Sequence, residues 1–446
     1  MKASIDDVME RNPLRAFQIF TVAAVVVVLL IDGLDIQLLS LMAPTIITDW
    51  GVNRADFGPA LAAALLGMSV GSGVGGWIGD RAGRLKTLVC STLLFGAATA
   101  LAGQTDNVAA MAIIRLVSGL GFGAAGPNGL ALASEWLPPR ARAQMVSVLS
   151  CGTPAGGMLG ATIVLLLLPT AGWRGTFLIC GFATLVFAAL LALTLRESPG
   201  YLQAKGAGEK AQRALRAIEE VEADSILAAT DKAPSIEDSN GITRLSDPRL
   251  MRLNLGVGVA FFTAALIVYG MMSWTPIILT DAGFNLASAV SAIFALNLGS
   301  VIAAVGTGFL VRLFGSKTVL IASGTALLAG ALSLALMLGS VHGTPSPFQE
   351  VGAICLVAWI GAGAGAAIAA VFAMMAAGYP LPCRAAGFGF GLMVGRAGGV
   401  VLSFAGGYLL NTTERSVCPF FLLLAVSATM SGLSAFISDR HASARR

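Results

Sequence analysis

Two aspartates interrupt the first long apolar run of the sequence. Asp32 and Asp35 lie in LLIDGLDIQLLS (29–40), and helical residues three positions apart share a face. Burial and mutual repulsion both favour the protonated form of a carboxyl group, and an ionisable side chain inside a membrane helix is a functional candidate by default. The spacing therefore predicts a cavity-facing pair that takes up protons. The alternative is a helix that ends near Ile31 with the pair in a loop, which leaves the apolar IQLLSLMAPTII (36–47) unexplained.

Two arginines stand in later apolar runs and are candidates to pair with carboxylates. Arg115, in RLVSGLGFG, lies about 12 Å below one end of its predicted helix, which matches the estimated depth of the aspartates. It is either a structural ion-pair partner or the group that sets when the aspartates take up protons. Arg396, in GLMVGRAGG, lies about 15 Å into its helix, and its planar guanidinium suits a carboxylate. We predict both as substrate-binding residues, with Arg396 as the anion anchor and a structural charge pair as its alternative.

The stretch YGMMSWTP (269–276) carries two aromatic side chains near the end of a predicted helix. Tyr269 and Trp274 either anchor the helix at the membrane surface or line the cavity and stack on an aromatic ligand. We predict them as substrate-binding residues and keep the surface anchor as the alternative. By contrast, GFGAAG (121–126) matches GxGxxG but lies inside a predicted membrane helix, so it does not indicate dinucleotide binding.

A short basic turn, GWIGDRAGR (76–84), separates the second and third predicted helices. Its arginines alone are only a topology signal, but together with Asp80 they can form ionic locks that break and reform. The related GFLVRLFGS (308–316) has Arg312 where the first copy has Asp80, so it cannot form the same pairs. A second pair of related segments, PPRARA and PLPCRA, leads into the fifth and eleventh helices. We predict a cytoplasmic gate made of Gly76, Asp80, Arg81, Gly83, Arg84, Arg142 and Arg384.

The composition is that of a membrane protein with many spans. Of the 446 residues, 56% are hydrophobic and 12% are charged, against about 25% charged in soluble domains. The six cysteines are scattered without CxxC spacing and there are two histidines, so we expect no disulfide framework, metal site or cofactor. The sequence has no GxxxxGK[ST] motif, so energy must come from an ion gradient or from the substrate's own gradient.

A window of about 20 apolar residues predicts twelve membrane helices. The predicted spans are 16–47, 56–79, 86–104, 107–135, 141–168, 174–195, 252–279, 286–312, 317–339, 349–378, 386–410 and 417–438. The fold class is therefore all-α, with two pseudo-symmetric six-helix bundles (1–195 and 252–446) and a cytoplasmic linker (196–251) that contains an amphipathic helix. The distribution of Lys and Arg places both termini and the linker in the cytoplasm. Repeats of this kind place a substrate site between the halves, near the membrane midplane.

Several motifs recur along nearly the whole chain in a known arrangement. They are DGLD in the first span, GWIGDRAGR after the second, RLVSGLGFG and SEWLPPRARA around the fourth, WRGTF and RESPGYL around the sixth, SWTP in the seventh and YPLPCRAAGFGFGLMVGRAGG through the eleventh. With twelve spans, this arrangement resembles the major facilitator superfamily and, within it, the aromatic acid:H+ symporter family. The resemblance implies the major facilitator fold and import of a benzoate-like carboxylate with protons across a bacterial cytoplasmic membrane.

The resemblance also implies roles for individual charged residues. The matching positions are Asp32 and Asp35 in proton coupling, Asp80 in the gate turn, and Arg115, Glu135, Arg384 and Arg396 as charged residues needed for transport. We group Glu135 with the proton-coupling pair. The chain departs from the family pattern in three places: Leu85 follows Arg84 where a second basic residue is usual, Arg312 replaces an acid, and a histidine of some members near spans eight and nine is absent. A coupling route through that histidine is therefore not expected.

We expect a proton-coupled secondary transporter, not an enzyme, that imports an aromatic carboxylate by alternating access. Its expected partners are a small aromatic carboxylate, H+ and the lipid bilayer, with no nucleic acid, and we expect a monomer in a bacterial inner membrane. The alternative is an antiporter that exports a drug or another metabolite. Such exporters usually carry Gly-x3-Gly-Pro in the fifth span, where this chain has CGTPAGGMLG, and the paired aspartates favour symport. A sensor or enzyme is disfavoured because the cytoplasmic loops leave no room for a catalytic domain.

Overall fold

The computed structural model describes residues 9–10, 12–138, 152–205, 245–341, 343–411 and 417–442. Most of the predicted linker, with its amphipathic helix, and the predicted start of the fifth span lie outside these residues. In the part of the chain that is described, ten helices are long and apolar enough to cross a membrane. The helices are α1 (Ala16–Trp50), α2 (Arg54–Ala82), α3 (Arg84–Ala102), α4 (Val108–Glu135), α5 (Gly152–Thr194), the short α6 (Pro199–Ala204), α7 (Met251–Asp281), α8 (Leu286–Gly339), α9 (Pro347–Gly378), α10 (Leu381–Asn411) and α11 (Cys418–Ile437).

Two glycines divide the two longest helices. Gly172 in α5 has a φ of 64° and Gly315 in α8 has a φ of 80°, left-handed values that glycine adopts without a steric penalty. Each marks a kink between two helical segments. The kinks fall in the gaps predicted between the fifth and sixth spans and between the eighth and ninth spans. With these two kinks, the ten long helices of the described chain correspond to twelve helical segments at the predicted spans, although residues 141–151 of the fifth span lie outside the described residues. The expectation of an all-α fold is confirmed.

Side-chain caps fix several helix starts in the short turns between spans. Asn107 accepts a hydrogen bond from the third residue of α4 at 2.8 Å, and Asn285 accepts one from Ser288 of α8 at 2.7 Å. Ser346 and Gln349 form a reciprocal capping box at the start of α9. Caps of this kind satisfy the otherwise unpaired N–H groups of the first turn. Local sequence thus determines where these helices begin.

The helices form two bundles, α1–α5 and α7–α11. Inside the first bundle, α2 and α4 approach along glycines: a Cβ on Gly67 would lie 2.2 Å from the carbonyl oxygen of Leu116, and one on Gly71 would lie 2.3 Å from that of Leu120. Helix faces without side chains allow such close backbone contact in a membrane, where lipid gives no hydrophobic drive for association. Each bundle is therefore joined by close main-chain packing.

The two bundles touch along α2 and α10 at one end, which we call the Arg54 end. A Cβ on Gly58 would lie 2.5 Å from the carbonyl oxygen of Phe404, and one on Gly407 would lie 2.7 Å from that of Arg54. An ion pair crosses the interface at the same end, with 2.5 Å between Arg54 Nη2 and Oδ1 of Asp281. Substitution of either glycine would push the bundles apart here, so this end is closed by direct contact.

The same two helices are separated at the opposite end, which we call the Gly76 end. Gly76 lies about five helical turns from Gly58 on one face of α2, and Gly389 has the same relation to Gly407 on α10. In the described part of the chain, a Cβ at Gly76 or at Gly389 would meet nothing within 4 Å outside its own helix. The interface is therefore closed at the Arg54 end and open at the Gly76 end.

Candidate functional site

Asp35 is enclosed within the first bundle and is paired with Arg115. Its Oδ2 accepts a hydrogen bond from Arg115 Nη1 at 2.6 Å, and its Oδ1 accepts one from Thr99 Oγ1 at 2.6 Å. Arg115 Nη2 also donates to the main-chain carbonyl of Asp35 at 2.8 Å, while its Nε has no partner among the described residues. The two side chains are only 1% and 2% exposed. The structure thus brings Arg115 to one of the two aspartates, and the charge of that carboxylate is compensated inside the bundle.

Asp32 lies about one turn earlier on α1 and faces the interface between the bundles. It is 8% exposed, and the side chain of Thr153 in α5 lies near enough to favour its charged form. The guanidinium of Arg396, from the other bundle, acts on it electrostatically. Within the described residues its Oδ1 has no hydrogen-bond partner. A buried carboxylate with an unsatisfied oxygen is costly, so Asp32 is the group here that benefits most from a proton or a further partner.

Arg396 reaches from α10 across the interface and contacts α2. It is half-buried, donates to the carbonyl oxygen of Met68 at 3.3 Å, and hydrogen-bonds the hydroxyl of Ser72. Tyr269 of α7 is within electrostatic reach of both Arg396 and Asp32 and packs against the apolar core of the first bundle. We call Asp32, Arg396 and Tyr269 the central site. Its cation is held by two neutral acceptors that a carboxylate could replace.

Trp274, the other aromatic residue predicted to bind substrate, lies in packing between α7 and α10. It is fully buried, and its indole N–H donates to the carbonyl oxygens of Leu402 at 3.2 Å and Ser403 at 3.1 Å. A Cβ on Gly406 would lie 2.3 Å from its Nε1. In this conformation Trp274 gives no accessible surface to a cavity, so a substrate contact by this residue would need a different arrangement of the two helices.

Glu135 lies with the gate residues and not with the aspartates. It ends α4, about 30 Å along the helix from Arg115. Its Oε1 is 3.6 Å from Nε of Arg84, and its Oε2 accepts a hydrogen bond from the hydroxyl of Ser198. The proton-coupling role that the sequence suggested for Glu135 is therefore not supported by proximity to Asp32. Its contacts tie the end of α4 to the basic turn and to the segment after α5.

The segment that follows α5 holds the basic turn at the Gly76 end. Glu197 Oε1 accepts a hydrogen bond from the N–H of Leu85 at 3.0 Å, and the hydroxyl of Tyr201 donates to the carbonyl oxygen of Arg81 at 2.9 Å. The turn itself depends on Gly83, whose φ is 115° and where a Cβ would lie 2.3 Å from Glu197 Oε2. The side chain of Arg81 stacks on Trp77 at 3.7 Å from the ring centroid. These contacts tie the turn to the end of the first bundle.

Three of the predicted gate residues are not placed by their side chains. Arg142 lies outside the described residues, and the structure describes only the backbone at Asp80 in α2 and at Arg384 in α10. Gly76, at the start of the turn motif, faces the open part of the interface. The ionic locks predicted for Asp80 stay a prediction.

One pair of interface residues was not predicted from the sequence. Gln37 of α1 and Asn297 of α8 exchange two hydrogen bonds across the bundles, at 3.0 and 3.1 Å, and are 2% and 0% exposed. The signal was present, because each is an uncharged polar side chain inside an apolar span, and polar groups there are functional candidates. Neutral amides carry no charge, so the charge pattern of the sequence does not single them out.

The chemistry open to these groups is binding and proton transfer. In the described ranges no cluster of three or more His, Cys, Asp and Glu side chains is placed to hold a metal ion. The central site combines one carboxyl group, one guanidinium and one phenol. Such a set can hold an organic anion and take up or release a proton.

Comparison with known proteins shows similarity over nearly the whole chain. The model of the Major Facilitator Superfamily matches residues 25–403. The chain is 30% identical over 410 residues to the 4-hydroxybenzoate transporter PcaK of Pseudomonas aeruginosa, which covers 90% of this chain and 88% of that protein. It is 28% identical over 446 residues to the gallate transporter of Pseudomonas putida, covering 99% of this chain and 96% of that protein.

Solved structures of transporters share the fold. The inward open conformation of the xylose transporter XylE from E. coli superposes with a TM-score of 0.74 at 17% identity, covering 94% of this chain and 96% of that chain. A crystal structure of a D-xylose-proton symporter gives a TM-score of 0.70 at 17% identity, covering 94% and 97%. At this level of identity the likeness concerns architecture alone.

Proposed function

The chain belongs to the major facilitator superfamily and, within it, to the aromatic acid:H+ symporter family, and we propose that it imports a benzoate-like aromatic carboxylate together with a proton. It is a multi-pass membrane transporter and not an enzyme. The proposal places it in a bacterial cytoplasmic membrane as a monomer, with both termini in the cytoplasm. The Gly76 end then faces the cytoplasm and the Arg54 end faces outward.

One observation carries the proposal: Asp32 lies between the bundles in the electrostatic field of Arg396, and its Oδ1 has no hydrogen-bond partner among the residues that the structure describes. A proton carrier in a transporter has to be reachable from a cavity and must change partners during the cycle. The position of Asp32 at the interface between the bundles supports this role, because movement of the bundles against each other would change its surroundings. The named substrates of the similar proteins supply the second half of the proposal, since 4-hydroxybenzoate and gallate are both aromatic carboxylates.

The energetics explain why a proton should accompany the acid. A membrane that is negative inside opposes the entry of an anion by about 2.3 kcal/mol per charge for each 100 mV. One proton cancels the charge of a monocarboxylate, so the pair crosses without electrical cost and the pH gradient drives uptake. A carboxyl group inside the protein is suited to carry that proton, because its ionised form is expensive at this depth.

In the proposed cycle, Asp32 takes up a proton while the Arg54 end is open. The substrate carboxylate then replaces the hydroxyl of Ser72 and the carbonyl oxygen of Met68 as the acceptor for Arg396. Closure of the Arg54 end gives the arrangement seen here, from which proton and acid leave toward the Gly76 end. For the return, the faces of Gly76 and Gly389 must meet, as those of Gly58 and Gly407 do now.

Asp35 and Arg115 have a different part in this proposal. Their buried pair fixes the α1 segment that carries Asp32 and adds a fixed local field to the site. Glu135, Arg84 and Ser198 hold the basic turn at the Gly76 end, where Asp80, Arg142 and Arg384 are proposed to complete the cytoplasmic gate.

The direct test is uptake by purified protein in liposomes. Radiolabelled benzoate, 4-hydroxybenzoate and gallate are supplied outside, with the membrane potential clamped and the outside more acidic than the lumen. We expect accumulation above equilibrium for at least one acid, abolished by a protonophore, with protein-free liposomes as the control for diffusion of undissociated acid.

Two outcomes would contradict the proposal. If a low external pH drives labelled substrate out of preloaded liposomes, the protein exchanges protons for substrate and is an exporting antiporter. If none of the three acids moves faster than in protein-free liposomes, the substrate class is wrong.

A further inference from the structure

Gln37 and Asn297 form a closed pair of carboxamides between the bundles. Besides their mutual hydrogen bonds, Asn297 Nδ2 donates to the carbonyl oxygen of Ile293 at 2.9 Å. Gly157 of α5 lies against both: a Cβ there would be 2.2 Å from Gln37 Nε2 and 3.0 Å from Asn297 Nδ2. The position without a side chain leaves the room that the two amides occupy. The pair is thus accommodated by three helices from both bundles.

Packing alone does not require polar groups at this place. Two apolar side chains of similar shape would fill the same space, and replacing both partners of a buried hydrogen bond in that way is close to neutral. A polar pair has a different consequence when the bundles separate. If the Arg54 end opens, α1 and α8 move apart, and each carboxamide presents a donor and an acceptor to the cavity. Both groups then need new partners.

The position of the pair relates it to the central site. Gln37 lies about 7.5 Å along α1 from Asp32, on the side of the Arg54 end. Ile36 of α1, which shares a face with Asp32, is half-buried and packs against the apolar cluster that Tyr269 also contacts. A small aromatic acid whose carboxylate pairs with Arg396 would therefore have apolar walls for its ring. The edge of the ring opposite the carboxylate would approach the two amides.

We propose that Gln37 and Asn297 recognise a hydroxyl group on the ring of the aromatic carboxylate as it enters from the Arg54 end. The inference rests on the function proposed above and adds the determinant of ring specificity. Neutral amides that both donate and accept match a phenolic hydroxyl, which also does both, whereas a second charged group would find no counter-charge in them. When the Arg54 end is closed, the two amides hydrogen-bond each other. When it is open, the hydroxyl group of the substrate supplies hydrogen-bond partners in place of the other amide.

The test compares two substrates that differ by one hydroxyl group. Uptake of benzoate and of 4-hydroxybenzoate is measured in cells that express the wild type or the double variant Gln37→Leu/Asn297→Leu. We expect the KM for 4-hydroxybenzoate to rise about tenfold in the variant while that for benzoate changes by less than about twofold, because a hydrogen bond to the hydroxyl is lost and the ring contacts remain. Benzoate uptake also shows that the variant is folded.

Asn128 provides a matched control. It is also a buried asparagine that donates to the carbonyl oxygen four residues earlier, Ala124 at 2.8 Å, and to a neighbouring helix at Gly75, at 2.9 Å, but it lies wholly inside the first bundle. The Asn128→Leu variant should leave the ratio of the two KM values unchanged. If the double variant loses benzoate uptake as well, Gln37→Met alone, which keeps the length of the side chain, is measured instead.

The results separate this inference from the proposed function. If the wild type takes up benzoate and the KM ratio stays the same in the double variant or in Gln37→Met, the amides do not read the hydroxyl and the inference is wrong, while the transport function stands. If the wild type takes up neither of these acids nor gallate, the proposed function fails and the inference fails with it.

Discussion

Two carboxyl groups stand one helical turn apart on α1 in opposite surroundings. Asp35 points into the first bundle, where Arg115 and Thr99 satisfy both of its oxygens. Asp32 points to the interface between the bundles, where one oxygen is without a partner among the described residues and the cation that acts on it, Arg396, belongs to the other bundle. A charge inside a bundle is fixed, whereas a charge between bundles changes its surroundings whenever the bundles move. The DGLD motif therefore combines one carboxyl group paired inside a bundle with one placed between the bundles.

The largest effect on stability should come from Asp35. Asp35→Asn leaves the buried guanidinium of Arg115 without a counter-charge, and breaking a buried pair on one side costs about 3–5 kcal/mol. Asp32→Asn replaces a buried group that can carry a negative charge with a neutral amide, so it should leave the thermal unfolding midpoint unchanged or higher. The midpoints of the two purified variants measure this difference directly.

A double variant sharpens that comparison. Asp35→Asn/Arg115→Gln removes both charges and should recover most of the lost stability. Equal unfolding midpoints for Asp35→Asn and the wild type would mean that the ion pair of Asp35 and Arg115 does not stabilise the fold. The two aspartates would then not differ in their contribution to stability.

The next largest effect should be on substrate affinity at Arg396. Lysine keeps the charge but loses the planar fork that holds a carboxylate by two hydrogen bonds, so Arg396→Lys should raise the KM by about tenfold or more. The unfolding midpoint should stay near that of the wild type, because the bonds of Arg396 to α2 are to neutral acceptors. Arg249→Lys, at an exposed turn before α7, is the matched control. An unchanged KM in Arg396→Lys would remove Arg396 as the anchor.

The smallest effect on stability should come from Trp274, whose indole hydrogen bonds go to α10 and not to either carboxyl group. Trp274→Phe loses the hydrogen bonds to the carbonyl oxygens of Leu402 and Ser403, which corresponds to about 1 kcal/mol of stability. The KM should not change, because the side chain is fully buried in this conformation. A changed KM with an unchanged midpoint would instead support the substrate contact predicted from the sequence.

The sequence predicts the architecture well because membrane spans are set by local composition. Every span needs a run of apolar residues, and each turn carries its own caps and glycines, so positions such as Gly172 and Gly315 fall where breaks were expected. The depth estimate for Arg115 also follows from helix geometry alone, and it led to the correct helix pair.

The details of the site depend on contacts between helices, which no local pattern contains. Which aspartate meets Arg115 is determined by the rotation of α1 against α4. The motif that contains Glu135 does not indicate its depth, and the structure places this residue beside Arg84 and Ser198 instead of beside Asp32. The amide pair of Gln37 and Asn297 joins residues from different halves of the chain, and single-residue patterns hold no information about such a pairing.

The central claim is that Asp32 carries the proton that moves with the substrate. The most direct test follows lumenal pH with a trapped dye when an aromatic acid is added outside liposomes that contain either the wild type or Asp32→Asn, with protein-free liposomes as baseline. We expect the wild type to acidify the lumen faster than the protein-free baseline. Asp32→Asn should not exceed the baseline but should still exchange labelled for unlabelled acid, because asparagine resembles the protonated carboxyl group. If Asp32→Asn acidifies the lumen at the rate of the wild type, Asp32 does not carry the proton that moves with the substrate.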